Sequence, residues 1–194
     1  MCGICGIVDS VHNPLVSESV LRTMNDSLSH RGPDGSGVHL DANVGLGHRR
    51  LSIIDIDGGH QPMYNDDRSV VIVFNGEIYN YKEIRAELVR NGCRFNTQSD
   101  TEVIIRLYET KGIDCLEQLN GMFAFAIWDS REQLLFAARD RLGEKPFYFQ
   151  QKGSSLVFAS ELKAILSVPE LWRELDVSAL DDFLAYGYVP APKT

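Results

Sequence analysis

Hydrophobic residues recur along the chain at two different spacings, which predict where helices and strands lie. After Ser17, apolar residues return every three or four positions, as in an amphipathic helix: Val20, Leu21, Met24 and Leu28. Similar stretches predict helices over 82–90, 100–111, 161–166 and 179–184. Asn13 and Pro14 predict a turn before the first helix, and Gly112 predicts the end of the helix that begins at 100.

Short apolar runs separated by turn-forming residues predict the strands. Ile4, Ile7 and Val8 indicate an opening strand, and two further strands over 38–40 and 44–48 are joined by a hairpin-like connection. An uninterrupted apolar strand is predicted over 70–74. From Gly121 onwards the pattern predicts a meander of four strands, over 122–128, 134–139, 147–150 and 156–159. This order of elements predicts an α+β fold of two antiparallel sheets packed together with helices outside.

Composition narrows the class of protein. The chain has 194 residues, 44% of them hydrophobic, which is enough for one well-buried domain. A net charge of -8 without a Lys/Arg run argues against nucleic acid as a partner. No apolar stretch approaches the ~20 residues that span a membrane, and no export signal is present, so a cytoplasmic location without membrane contact is expected.

The four cysteines, Cys2, Cys5, Cys93 and Cys115, are expected to be reduced thiols because nothing indicates export. Cys2 and Cys5 have CxxC spacing, but no second pair or nearby His cluster completes a zinc site, so no metal is expected.

Cys2 is the first candidate for chemistry, because removal of Met1 would put a thiol and a free α-amine on one residue. An α-amine titrates near ~8 and a free thiol near ~8.5, so the amine can serve as the base for the thiol. Gly3 and Gly6 leave room for a substrate beside this strand. The alternative is that Cys2 is an ordinary residue of a half-buried strand, since Cys is common in protein cores.

Three further stretches carry polar groups with a structural and a functional interpretation. A loop over 30–37 contains three glycines and a proline, which fits a simple helix stop as well as a binding loop. Arg49 and Arg50 lie at a strand's end, where an arginine can clamp a carboxylate, although solvated surface arginines have the same pattern.

Asn75 and Gly76 follow a buried strand and precede a helix, which weakens the usual hairpin interpretation of Asn-Gly. Their amide and N–H groups are suitable donors to an oxyanion. Ser99 or Asp100 is expected to cap the next helix, and the carboxylate of Asp100 has either a capping or a ligand-binding role.

Taken together, seven motifs resemble the glutaminase domain of class II glutamine amidotransferases, most closely that of glutamine-hydrolysing asparagine synthetases. They are MCGI at 1–4, RGPD at 31–34, RLSI at 50–53, NGEIYN at 75–80, SD at 99–100, GMFAFA at 121–126 and RDRLG at 139–143. The resemblance covers residues 1 to about 164, and residues 183–192 are similar to the entry into the synthetase domain of that family.

The resemblance implies a four-layer αββα N-terminal-nucleophile hydrolase fold and L-glutamine as substrate. Cys2 would be the nucleophile with its freed amine as base, and Asn75 with the Gly76 N–H would form the oxyanion hole. Arg50 would bind the α-carboxylate of glutamine and Asp100 its α-ammonium. Glu77 and the backbone of Leu51 and Ile53 would line the pocket, and Arg49 is left as a surface residue.

The resemblance also implies a domain division, with a glutaminase domain at 1–170 and a linker with the start of a synthetase domain at 171–194. The serine- and glycine-rich phosphate loop of that second domain does not occur in these residues, so ATP and Mg²⁺ are expected only there. A homodimer is possible. The alternatives are another class II amidotransferase, feeding a sugar-phosphate or purine-pathway acceptor, and a catalytically silent glutamine-sensing module.

Overall fold

The computed structural model describes residues 1–9, 15–169, 171, 173–191 and 193, so the predicted turn at Asn13 and Pro14 lies outside the described residues. Nine strands are described: β1 Gly3–Asp9, β2 Gly35–Asp41, β3 Val44–Arg50, β4 Met63–Tyr64, β5 Val70–Ile78, β6 Gly121–Asp129, β7 Leu134–Arg139, β8 Tyr148–Lys152 and β9 Ser155–Ala159. Five α-helices accompany them: α1 Glu18–Ser27, α2 Tyr81–Arg90, α3 Asp100–Lys111, α4 Leu162–Leu166 and α5 Val177–Tyr186.

The strands form two antiparallel sheets, as the sequence predicts. The first has the order β2-β3-β1-β9-β8 and the second the order β4-β5-β6-β7. Strand β1 lies at the centre of the first sheet, where Cys5 pairs with Gly47 of β3 on one side and Ala159 of β9 on the other. The N-terminus is therefore held on both sides by backbone hydrogen bonds.

Alternation along the strands builds three apolar layers, because successive side chains point to opposite faces of a sheet. In β1, Ile4 packs between the two sheets, whereas Cys5 and Ile7 pack against α1 and α4. In β5, Val71 and Val73 face the first sheet, while the other face packs against α2 and α3. The result is the predicted αββα arrangement of four layers.

The prediction of one four-stranded meander from Gly121 onwards is wrong. Strands β6 and β7 extend the second sheet, whereas β8 and β9 form a hairpin that pairs with β1 in the first sheet. The chain turns between the sheets at Asp140, whose buried carboxylate accepts hydrogen bonds from the N–H groups of Phe123, Glu144 and Lys145. Strand spacing in the sequence does not reveal such a crossing.

Several element boundaries also differ from the prediction. Strand β2 begins at Gly35, inside the predicted glycine loop, because residues 35–41 pair with 44–50. Ser17 occupies the N-cap of α1 but makes no side-chain cap hydrogen bond. Helix α3 matches its predicted bounds, and its cap is Ser99, whose hydroxyl accepts from the N–H of Thr101 at 3.2 Å. Strand β4 and the 3-10 helix Gly112–Gln118 were not predicted. None of the described helices has the length and apolar character needed to cross a membrane.

Candidate active site

A cavity of about 220 Å³ opens at one end of the space between the two sheets. Strand alternation directs side chains there from three strands, because the inward positions of β1, β3 and β5 lead to Cys2, Arg50 and Asn75. All eight residues singled out from the sequence line this cavity: Cys2, Arg50, Leu51, Ile53, Asn75, Gly76, Glu77 and Asp100.

Cys2 lies at the start of β1 with its sulfur against the backbone of Leu51. The Leu51 N–H donates to Sγ at 3.3 Å, and Sγ lies 3.5 Å from the Leu51 carbonyl oxygen. Burial raises the pKa of the Cys2 thiol, although the Leu51 hydrogen bond, the N-terminal ammonium, Arg50 and Arg31 all act in the opposite direction. The resting thiol is therefore protonated at neutral pH, and its attack on a substrate requires a base.

Cys5 cannot act together with Cys2, because an odd separation along a strand places the two thiols on opposite faces of the sheet. Cys5 is fully buried in the layer beneath α1, and burial raises its pKa to about 12. Within the part of the chain that the structure describes, no cluster of three or more His, Cys, Asp or Glu side chains forms a metal site.

Arg50 presents a buried guanidinium that is oriented by backbone carbonyls. Nη1 donates to the Ile56 oxygen at 2.7 Å, and Nη2 donates to the oxygens of Asp55 and Ile54 at 2.5 and 3.3 Å. Gly59 permits this packing, since a Cβ there would lie 2.4 Å from Nη2. Among the described carboxylates none forms an ion pair with Arg50, so its charge is available to an anionic ligand.

Asp100 supplies the opposite charge at the first residue of α3. Its Oδ2 accepts from the N–H of Ile78 at 3.1 Å, which ties the helix to the end of β5. Burial raises the pKa of Asp100 to about 6, with Glu77 adding to the rise and backbone hydrogen bonds opposing it. A bound cation would favour the ionised carboxylate.

Asn75 carries a polar group without a partner. The residue is 1% exposed, and its Nδ2 finds no hydrogen-bond acceptor among the residues described. An unsatisfied buried donor costs about 1–3 kcal/mol, so a buried amide that opens onto a cavity indicates a ligand position.

The prediction that Asn75 and Gly76 follow the end of a strand is wrong. Both lie inside β5, where Asn75 pairs with Ala124 and Gly76 with Phe123, because β6 continues alongside them. Gly76 is also required for packing, since a Cβ there would lie 2.3 Å from the Met122 carbonyl oxygen.

Some residues of the site were not anticipated from the sequence. Lys145 is 6% exposed and lines the cavity, with its Nζ 3.6 Å from the sulfur of Met1. Gln61 lines it as well and joins two elements, because Oε1 accepts from the Phe74 N–H at 2.7 Å and Nε2 lies 3.3 Å from the Thr101 hydroxyl. Both lie in loops, where residue spacing carries little information about position.

Two neighbours of Arg50 serve the structure around the cavity. His48 is fully buried, lies 3.0 Å through Nε2 from the Phe74 carbonyl oxygen and links the two sheets, and its burial lowers its pKa to about 4. In the sequence, His48 is a polar residue at an inward position of a strand, and this pattern indicates a buried polar role. Arg49 is not a free surface residue: its Nε donates to the Asn25 oxygen at 3.0 Å and its guanidinium pairs with Asp26.

Comparison with known proteins identifies the family of this chain. A family model described as a glutamine amidotransferase domain matches residues 1–194. Glutamine-hydrolysing asparagine synthetase 3 of Bacillus subtilis is 45% identical over 100% of this chain and 32% of its own length. A putative asparagine synthetase of Methanocaldococcus jannaschii is 40% identical over 99% of this chain and 40% of its own length.

Solved structures show the same fold at lower identity. The allosteric regulatory enzyme of purine biosynthesis superposes with a TM-score of 0.71 at 24% identity and covers 86% of this chain and 43% of that one. Glutamine phosphoribosylpyrophosphate amidotransferase of Bacillus subtilis has a TM-score of 0.69 with the same coverage. These two structures therefore share the overall fold of this chain.

The chain belongs to the glutamine amidotransferase domain family. It is similar to glutamine-hydrolysing asparagine synthetases and spans about a third of the length of the curated relatives that it matches.

Proposed function

We propose that this domain hydrolyses L-glutamine to glutamate and ammonia through a thioester on Cys2. The observation that carries the proposal is the shared cavity, in which a thiol, a buried cation at Arg50 and a buried carboxylate at Asp100 meet. Free glutamine has one carboxylate, one ammonium and one side-chain amide, so the cavity offers a group of the right chemistry for each.

The catalytic cycle begins with the free amine of Cys2 after removal of Met1. The amine takes the thiol proton, and the thiolate attacks the carboxamide carbon of glutamine. The developing oxyanion accepts hydrogen bonds from Asn75 Nδ2, the unpartnered donor, and the Gly76 N–H. When the C–N bond breaks, the ammonium of Cys2 returns its proton to the leaving nitrogen, and ammonia departs.

The second half of the cycle releases glutamate. The amine of Cys2 takes a proton from water, and the resulting hydroxide attacks the thioester carbon. The C–S bond breaks, the ammonium of Cys2 returns its proton to the sulfur, and glutamate leaves. Arg50 and Asp100 hold the α-carboxylate and α-ammonium throughout, with Glu77 and the Leu51 and Ile53 backbone around them.

The ammonia would pass to a synthetase domain that amidates aspartate with ATP and Mg²⁺ outside the present residues. Two observations support this proposal. The curated relatives are about three times longer than the chain, and α5 leaves apolar side chains exposed, including Phe183, Leu184 and Tyr186. We accordingly assign residues 1–170 to the glutaminase domain and residues 171–194 to the connection.

Ammonia release from glutamine tests the proposal in the processed protein. Cys2→Ala should reduce release to the blank, because the nucleophile is lost. Cys5→Ala is the matched control and should keep turnover, since its thiol faces the opposite layer, with a lower thermal midpoint from the buried sulfur. Equal release from wild type and Cys2→Ala would refute thioester chemistry, and glutamine binding without release by wild type would indicate a sensing module.

A further inference from the structure

Asp55 has an unusual backbone and makes more hydrogen bonds than a loop residue requires. Its φ of 49° lies in the left-handed region, which Asp and Asn tolerate better than most other residues. Its carboxylate accepts from the N–H of Gly58 at 2.9 Å and of Gln98 at 2.6 Å. Its carbonyl oxygen accepts from Gly59 at 2.8 Å and from Arg50 Nη2 at 2.5 Å.

These contacts belong to two different parts of the cavity wall. The bonds to Gly58, Gly59 and Arg50 shape the loop 51–59 around the Arg50 guanidinium. The bond to Gln98 reaches a segment 43 residues further along the chain, two positions before Asp100. Asp55 therefore connects the backbone that holds the cation with the backbone that leads to the buried carboxylate.

We propose that Asp55 is a positioning residue that fixes the distance between Arg50 and Asp100, and so selects a ligand whose carboxylate and ammonium lie on one carbon. The choice of ligand rests on the proposed function, whereas the bridge between the two segments does not. Asp55 does not line the cavity, so it acts through the two charged residues and not by contact with the ligand.

The charge of Asp55 suits this role. The N–H groups of Gln98 and then Gly58 lower its pKa, so the carboxylate is ionised throughout the neutral range and both oxygens accept. Asp55→Asn keeps the tolerance for a left-handed backbone but puts an amide donor where one acceptor stood. One of the two N–H groups then loses its partner, while the loop keeps its conformation.

Asp57 offers a matched control on the same loop. It is exposed, and its side chain makes no hydrogen bond in the described part of the chain. In steady-state assays with glutamine, Asp55→Asn should raise KM by about 10- to 100-fold, as expected for a lost hydrogen bond to a charged group, with kcat within about threefold. Asp57→Asn should leave both unchanged. A fall in kcat for Asp55→Asn without a change in KM would show a general structural defect and would overturn the proposal.

Hydrogen–deuterium exchange tests the bridge without reference to activity. In Asp55→Asn, amides of 96–99 should exchange faster than in wild type although they lie about forty residues further along the chain, and Asp57→Asn should not change them. Asp55→Gly tolerates the same backbone and removes both acceptors, so unchanged protection at 96–99 in this variant would overturn the bridge. If wild type released no ammonia, the proposed function would fail, and the exchange result would still decide whether Asp55 joins the two segments.

Discussion

Arg31 donates a hydrogen bond from Nε to the carbonyl oxygen of Cys2 at 2.9 Å. The same guanidinium contacts Glu161 through Nη1 at 3.1 Å, and this carboxylate also receives contacts from His30 and Lys163. The backbone of the proposed nucleophile is therefore attached to a charged cluster that joins the end of α1 to the start of α4.

We predict that Arg31→Met lowers kcat for glutamine by about 10- to 100-fold, because displacement of a reacting atom by a fraction of an ångström has effects of this size. KM should change less, since Arg50 and Asp100 remain in place. Arg49→Met is the control: it loses the contact with α1 and should lower the thermal midpoint while keeping kcat. Steady-state kinetics and thermal melts of both variants check this, and a normal kcat in Arg31→Met would contradict it.

Asn75 and Asn80 give opposite predictions within one motif. Asn80 satisfies both ends of its amide, since Nδ2 donates to the Gln118 oxygen at 2.9 Å and Oδ1 accepts from the Asn120 N–H at 3.0 Å. Asn75 Nδ2 has no such partner among the described groups. Asn75→Ala should thus lose about 10²–10³ in kcat with little loss of stability, as for other oxyanion donors.

Asn80→Ala should do the reverse, with kcat retained and the free energy of unfolding lowered by about 1–2 kcal/mol. Ammonia release and urea unfolding of the two variants provide the comparison. If Asn75→Ala kept full turnover, the oxyanion donor would have to be sought elsewhere in the cavity.

The two asparagines also separate what local sequence determines from what the fold determines. The motif marks Asn75, and the apolar run before it predicts a strand. That the strand continues to Ile78 depends on β6, which lies more than forty residues away and supplies the hydrogen-bond partners. Local patterns predict that a strand exists, but its length is set by the neighbour with which it pairs.

In the candidate site, too, local motifs indicate some residues, whereas others depend on contacts between distant parts of the chain. Cys2, Arg50 and Asp100 belong to recognisable motifs, so they could be proposed before the fold was known. Lys145 and Asp55 could not, because their positions arise from a chain crossing and a bridge between distant loops. Asp140 belongs to one of the family motifs, but it turns the chain between the sheets through hydrogen bonds that no local pattern predicts.

The elevated pKa of Asp100 predicts how binding of glutamine depends on pH. An ammonium requires the ionised carboxylate, and burial raises its pKa to about 6. The affinity of Cys2→Ala for glutamine, which reports binding without turnover, should fall about tenfold between pH 7 and pH 5. Calorimetric titration measures this directly. Asp100→Asn in the same background should bind weakly at both pH values, and a pH-independent affinity would remove Asp100 from the binding scheme.

The same shift predicts an effect on stability with a definite sign. The pKa in the folded state lies above its ordinary value near 3.8, so the folded state holds this proton more tightly than the unfolded state. The contribution to stability is fully present below the unfolded pKa and is lost as pH rises through about 6. Asp100→Asn should therefore gain stability relative to the parent as pH increases from 4 to 7. Acid effects of His48 are common to both proteins and cancel in the comparison.

Retention of Met1 should separate folding from catalysis. With Met1 attached, the nitrogen of Cys2 is a peptide amide without a basic lone pair, and the buried thiol stays protonated because nothing accepts its proton. Met1 also lines the cavity, although the residue is 57% exposed. Strand β1 is held by β3 and β9 whether or not the amine is free. We therefore expect a folded protein with almost no glutaminase activity.

The sharpest comparison uses one preparation before and after proteolysis. A cleavable leader that ends directly before Cys2 gives a blocked chain, and cleavage gives the free amine, with both states verified by intact mass. The thermal midpoints should agree within about 2 °C, because no backbone pairing of β1 changes, while ammonia release should appear only after cleavage. Equal release in both states would mean that a group other than the amine of Cys2 is the base. Loss of the cooperative transition in the blocked chain would mean that the amine is needed for folding as well as for chemistry.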